Sequence, residues 1–112
     1  MTAHDLLPDP IPAYLAAHTA RDADTAVGCF TADAVVVDEG RTHRGTEEVL
    51  AWLRGAGTQF TYTTELVGAR RVDGARWVAL QRLEGDFPGG VVELRYRFTM
   101  DGDLIAGLVI AP

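Results

Sequence analysis

The order of patterns along the chain predicts an α+β fold: three N-terminal helices packed in a strongly curved, mainly antiparallel sheet. Apolar residues recur at helical spacing through Arg54 and at a spacing of two from Gln59 onward. Helices and strands are therefore segregated instead of alternating, which excludes a parallel α/β sheet. The 112 residues suit one domain, read as residues 1–112, and 47% hydrophobic with 23% charged residues is enough to bury a core.

Asp9-Pro10-Ile11-Pro12 starts the first helix, with prolines where no amide partner is needed. Ile11, Tyr14, Leu15 and His18 then form one helical face. Asp22 caps a second short helix whose inward residues are Ala23, Ala26, Val27 and Phe30, with Cys29 also on it. Ala34-Val-Val-Val-Asp38 is a β-branched strand with Ala34, Val36 and Asp38 on one face, followed by a turn at Glu39-Gly40. His43 falls in that turn region, between Arg41 and Arg44. A third helix, from about Thr46 to Arg54, turns Val49, Leu50, Leu53 and Trp52 inward and ends at Gly55 and Gly57, which suit a left-handed cap.

Beyond it, Phe60, Tyr62, Thr64 and Leu66 alternate with Thr61, Thr63, Glu65 and Val67. Asp73-Gly74 signals a hairpin into Trp77, Ala79, Gln81 and Leu83 on the matching face. After the Gly85–Gly90 loop, Val92, Leu94, Tyr96 and Phe98 face inward while Glu93, Arg95 and Arg97 face out. Asp101-Gly102 turns into Leu104–Ile110, apolar on both faces. The result is a four-strand antiparallel meander, with helices over the Tyr62/Gln81/Tyr96 face and the Arg95/Arg97 face left for solvent or another subunit.

Composition narrows the function. A net charge of −6 with scattered arginines offers no basic stripe for nucleic acid. No apolar run reaches the roughly 20 residues of a membrane span, and Met1-Thr-Ala-His-Asp lacks a secretory pattern, so a cytoplasmic location without membrane contact is expected. A single cysteine, Cys29, allows no intrachain disulfide, fits a reducing compartment, and reads as an inert buried thiol. His18 and His43 have no partners at metal-ligand spacing, and no metal or cofactor is implied.

Two residues stand out for chemistry. Asp38 shares a face with Ala34 and Val36, so its carboxylate points to the interior or its rim, where burial would raise its pKa toward that of a general base. The same residue could instead bond the backbone of the Asp38-Glu39-Gly40 turn. Tyr14, on the apolar face of the first helix, reads either as core packing or as a donor to a developing oxyanion. Gln81 and Thr64 interrupt a buried sheet face and need partners, from each other or from a ligand or trapped water.

The run Tyr14-Leu-Ala-Ala…Arg21-Asp22-Ala-Asp24…Cys29-Phe30-Thr-Ala-Asp33-Ala34-Val-Val-Val-Asp38-Glu-Gly40, then Arg44-Gly45 and a helix, resembles the nuclear-transport-factor-2-like superfamily, its SnoaL-like branch in particular. The late hairpin Arg95-Tyr-Arg-Phe98-Thr-Met-Asp101-Gly102 fits as well. The resemblance implies a cone-shaped α+β barrel with a deep pocket and a homodimer through the outer sheet face. From Tyr14 to Asp38 the chain is also similar to ketosteroid isomerase, a standard case of tuned carboxyl groups. That similarity implies Tyr14 as oxyanion donor and Asp38 as proton shuttle, and it sets Leu94 where a second, carboxylic donor would stand. The expected function is a pocket for a small apolar molecule lined by Val36, Trp52, Tyr62, Gln81, Leu94 and Phe98. It would be an isomerase or cyclase-like enzyme acting on a carbonyl compound. The alternatives are a non-catalytic binding or dimerisation module, and an epoxide hydrolase needing an Asp–Arg–Asp set that outward-facing Arg95 and Arg97 do not supply.

Overall fold

The computed structural model describes residues 7–55 and 62–112. Helix α1 (Pro10–Thr19) begins on its two prolines and buries Ile11, Tyr14, Leu15 and Ala17. Asp22 caps α2 (Ala23–Val27), accepting from the Thr25 amide at 3.2 Å and the Thr25 hydroxyl at 2.6 Å. Helix α2 stops earlier than the sequence suggests. Cys29 lies beyond its end, and Phe30 opens the first strand, because a sheet partner takes over the backbone there: the Ile105 amide donates to the Cys29 carbonyl at 2.8 Å.

Strand β1 (Phe30–Asp38) is thus longer than its apolar run. Its first part, Thr31-Ala-Asp33, is polar and irregular in register, which hides it from an alternation test. Glu39 and Gly40, at φ 53° and 76°, form a two-residue turn with both central residues left-handed. The turn returns the chain as β2 (Arg41–Arg44), so His43 lies on a strand and not in a turn. Four polar residues at a sheet edge carry no alternation to read. Helix α3 (Gly45–Gly55) follows, and Glu48 reaches back to accept from the Arg44 amide at 2.9 Å. Gly55 ends it without a left-handed φ. Gly57, Gln59, Phe60 and Thr61 lie outside the described residues.

Strands β3 (Tyr62–Arg71), β4 (Arg76–Gly85), β5 (Val91–Asp101) and β6 (Leu104–Ala111) make the expected antiparallel meander. Strand β1 then adds to its far edge, parallel to β6, giving a six-stranded sheet in the order β2-β1-β6-β5-β4-β3. Register shifts at Leu66/Gly68 and Thr99/Met100 bend the strands, as bulges do. The concave face holds Val36, Ala79, Tyr96, Phe98, Ile105 and Leu108, all buried beneath α1 and α3 with Tyr14 and Val49. Among the described residues, no helix is long and apolar enough to cross a membrane.

The β1–β2 turn offers a clean test of backbone conformation. A Cβ at Gly40 would meet nothing within 4 Å, so the left-handed φ alone opposes a side chain. Gly40→Val should lower unfolding stability by about 1–2 kcal/mol in denaturant melts. An unchanged midpoint would mean that the turn does not hold this conformation.

Candidate functional site

A cavity of about 720 Å³ opens at the end of the sheet where β1, β4 and β6 finish and β5 starts. Its wall takes the last inward residues of three strands, Asp38 from β1, Leu83 from β4 and Ile110 from β6, and the first inward residues of β5, Val92, Leu94 and Tyr96. Trp52 of α3, His18 of α1, Tyr62 of β3 and His43 of β2 close it, with Glu39 and Arg41 from the β1–β2 hairpin.

Asp38 is half-buried, opposite Ile110 on β6 and Arg41 on β2. Its Oδ2 accepts from the Trp52 indole N–H at 3.0 Å. The carboxylate thus turns to the helix and not to the turn backbone. Its other oxygen makes no hydrogen bond among the described residues. Two rings flank Trp52: His18 lies within 8° of its plane with centroids 6.2 Å apart, and His43 tilts toward it at 6.1 Å, while Tyr14 stacks on the His18 ring at 5.8 Å.

The electrostatics favour neutral rings. Burial lowers the His18 pKa, with Arg21 adding to that effect and the Asp38 carboxylate opposing it. Burial raises the phenols of Tyr14, Tyr62 and Tyr96, and the nearby Asp38 charge pushes each further the same way. The Cys29 thiol is also raised by burial, which suits an inert group. Among the described residues, no cluster of three or more His, Cys, Asp or Glu could hold a metal ion.

The expected site residues divide into two groups. Asp38, Trp52, Tyr62 and Leu94 meet on the cavity wall. Val36, Gln81, Phe98 and Tyr14 are not in that wall; they pack in the core beneath it. The reason is position along the strands: Val36, Gln81 and Phe98 sit one or more inward steps closer to the middle of the sheet, where the helices cover it. Thr64 meets Thr19 at 3.3 Å instead of Gln81, whose partner in register is Leu66. The Tyr14 hydroxyl is fully buried, with no hydrogen-bond partner among the described residues. Its ring instead packs against Phe30 and Phe98 at 5.3 and 6.0 Å. His18 and His43, unremarkable by spacing, do line the cavity. The signal available in the sequence was the position of His18, one helical turn after Tyr14 on the same face.

Arg95 and Arg97 are exposed on the outer face, leaving Arg41 as the arginine among the described lining residues. They do not complete an Asp–Arg–Asp set inside the cavity.

A helix-lined concave sheet with a cavity at one end is the NTF2-like, cystatin-like α+β fold. The SnoaL-like domain family matches residues 11–107, and the chain belongs to that family. A candidate polyketide cyclase from Sinorhizobium meliloti is 35% identical, with a TM-score of 0.89 over 99% of this chain and 100% of that one. A protein of ketosteroid isomerase-like fold from Catenulispora acidiphila, solved with trimethylamine, is 20% identical with a TM-score of 0.81, covering 94% and 85% of the two chains. The Δ5-3-ketosteroid isomerase of a Mycobacterium species is 15% identical with a TM-score of 0.74, covering 93% and 90%. The last two likenesses establish shared fold alone. A search of curated protein sequences found no significant match.

The orphan phenol yields a stability test. An unpaired buried hydroxyl is a net cost, so Tyr14→Phe should leave the fold intact and raise unfolding stability by about 1 kcal/mol. A loss of stability would show that the hydroxyl has a partner in solution.

Proposed function

We propose that this protein is a small-molecule-pocket enzyme that moves a proton on an apolar carbonyl compound, as in isomerisation or aldol-type ring closure. The observation that carries the reading is the Asp38 carboxylate on the cavity wall, one oxygen held by Trp52 at 3.0 Å and the other without a protein partner among the described residues. A base must be held still yet keep a lone pair for the substrate. Leu83, Val92, Leu94 and Ile110 suit an apolar ring system, and Asp38, beside Ile110 in register, sets a carboxylate on the same wall. The polyketide cyclase assignment of the Sinorhizobium protein, at 35% identity over the full length, favours the same class of chemistry. A binding role without catalysis is the second reading. The trimethylamine complex of the Catenulispora protein favours it, since a protein of this fold was solved with a small molecule.

Proton abstraction can be tested without the natural substrate. Incubated with 2-tetralone in D₂O, the protein should speed deuterium uptake beside the carbonyl, followed by proton NMR. Asp38→Asn should slow that exchange by about 10²–10⁴-fold while leaving ketone binding largely intact. Exchange at the wild-type rate in the variant would remove Asp38 from the role. Binding without any exchange would favour the non-catalytic reading.

We also propose that two copies associate through the outer sheet face. That face has a groove of about 510 Å³ floored by Val35, Val37, Val78 and Val109. Across it the register aligns Arg70, Val78, Arg97, Val109 and Val37 in one row and Glu65, Arg82 and Glu93 in another. In a two-fold pairing, Arg70 and Arg97 of one copy would lie toward Glu65 and Glu93 of the other, which would make the face self-complementary. Sedimentation should give twice the 12.1 kDa chain mass, and Arg97→Glu should shift it to monomer. A wild-type monomer at high concentration would overturn the proposal.

A further inference from the structure

Removing a proton beside a carbonyl builds negative charge on the carbonyl oxygen, and that oxygen needs a donor. The Tyr14 hydroxyl lies in the core behind the wall, Leu94 offers no hydrogen bond, and the Trp52 N–H already serves Asp38. Tyr62, Tyr96, His43 and Arg41 also reach the wall, but among the described lining donors His18 is the one held between two stacked rings, those of Trp52 and Tyr14. We infer that His18 is the missing donor: its N–H meets the ligand oxygen in this cavity while Asp38 handles the proton.

The inference rests on the proton-transfer reading above and adds a catalytic residue to it. His18 is half-buried on the cavity wall, stacked near-parallel to Trp52 and to Tyr14. Two aromatic neighbours fix the plane of the imidazole, and the ring edge carries its nitrogens. Neither nitrogen makes a hydrogen bond among the described residues, unlike the indole beside it. Asp38 shares the wall, close enough for its charge to act on His18. The groups that bear on the imidazole charge are Asp38 from β1, which favours the charged form, and Arg21 after α1, which joins burial in keeping it neutral. A neutral imidazole carries one N–H and is a known electrophile toward a developing oxyanion.

The step balances within one molecule. Asp38 takes the proton from the carbon beside the carbonyl, and the C–H electron pair becomes the C=C bond. The carbonyl π pair moves onto oxygen, where the His18 N–H hydrogen-bonds it. The proton then returns from Asp38 to another carbon, or to the alkoxide formed on ring closure. The carboxylate is regenerated, and the imidazole keeps its proton throughout.

The test uses 4-nitrophenolate as a stable oxyanion and the Asp38→Asn chain as a stand-in for the protonated base. Binding is read by the shift of the nitrophenolate absorbance. Adding His18→Phe keeps an aromatic ring in the stack and removes the donor, so affinity should fall about ten- to a hundredfold. His18→Gln restores an N–H and should recover most of the loss. Thermal melts confirm that each variant folds. As an independent readout, the ring ¹⁵N signals of His18 in the Asp38→Asn chain should move on adding 4-nitrophenolate. Equal affinity of the His18→Phe variant, or unmoved His18 signals on binding, would overturn the inference while leaving the pocket reading in place. No binding of 4-nitrophenolate to the Asp38→Asn chain would overturn both.

Discussion

The parallel pairing of β1 with β6 is the constraint on which the rest of this protein depends. It joins the helical first half of the chain to the meander that ends it, through Val36 on Leu108, Val37 on Val109 and Asp38 on Ile110. Without it the four-strand meander would have one face open to water, and the helices would have no sheet to bury Tyr14, Trp52 or Val49 against. Parallel neighbours need a long connection, and here everything from β2 to β5 supplies it. The pairing also sets the site. It ends β1 at the same edge as β6, which leaves Asp38 half-buried at the cavity rim, where Trp52 of α3 reaches it.

Within that frame the indole–carboxylate contact organises the polar groups of the cavity wall. Trp52 comes from α3, Asp38 from β1, and the Glu39–Gly40 turn and β2 between them carry Arg41 and His43 back to the same opening. A half-buried carboxylate without a partner is costly. One indole N–H offsets part of that cost and fixes the group's direction, while the surrounding phenols and imidazole stay neutral under burial. The result is a carboxylate of defined direction on a wall that also carries Leu83, Val92, Leu94 and Ile110, an arrangement suited to proton chemistry on a largely apolar molecule.

Much of this was readable because a half-buried sheet writes its burial into a spacing of two. Trp77, Ala79, Gln81 and Leu83, and then Val92, Leu94, Tyr96 and Phe98, face inward as alternation requires. The placement of Asp38 with Ala34 and Val36 followed from the same rule. What escaped was of two kinds. Strand β2 and the start of β1 are held by their neighbours' backbone and carry no apolar period of their own. The division of inward residues into core and cavity wall depends on how far the helices reach along each strand, which spacing does not encode. Hence Val36, Gln81, Phe98 and Tyr14 share a face with the site yet lie beneath it, and His18 and His43 line it.

The sequence by itself determined the α+β class, the inward and outward faces of the meander, the Asp22 cap, the hairpin turns and the SnoaL-like resemblance. Each of these is a local matter of propensity, period or motif. Only the tertiary structure decided that β1 pairs parallel with β6, that Trp52 holds Asp38, and that an imidazole and not the Tyr14 phenol reaches the cavity. Those outcomes turn on distances between segments far apart in the chain, set by packing of the whole core and not by any residue's immediate neighbours.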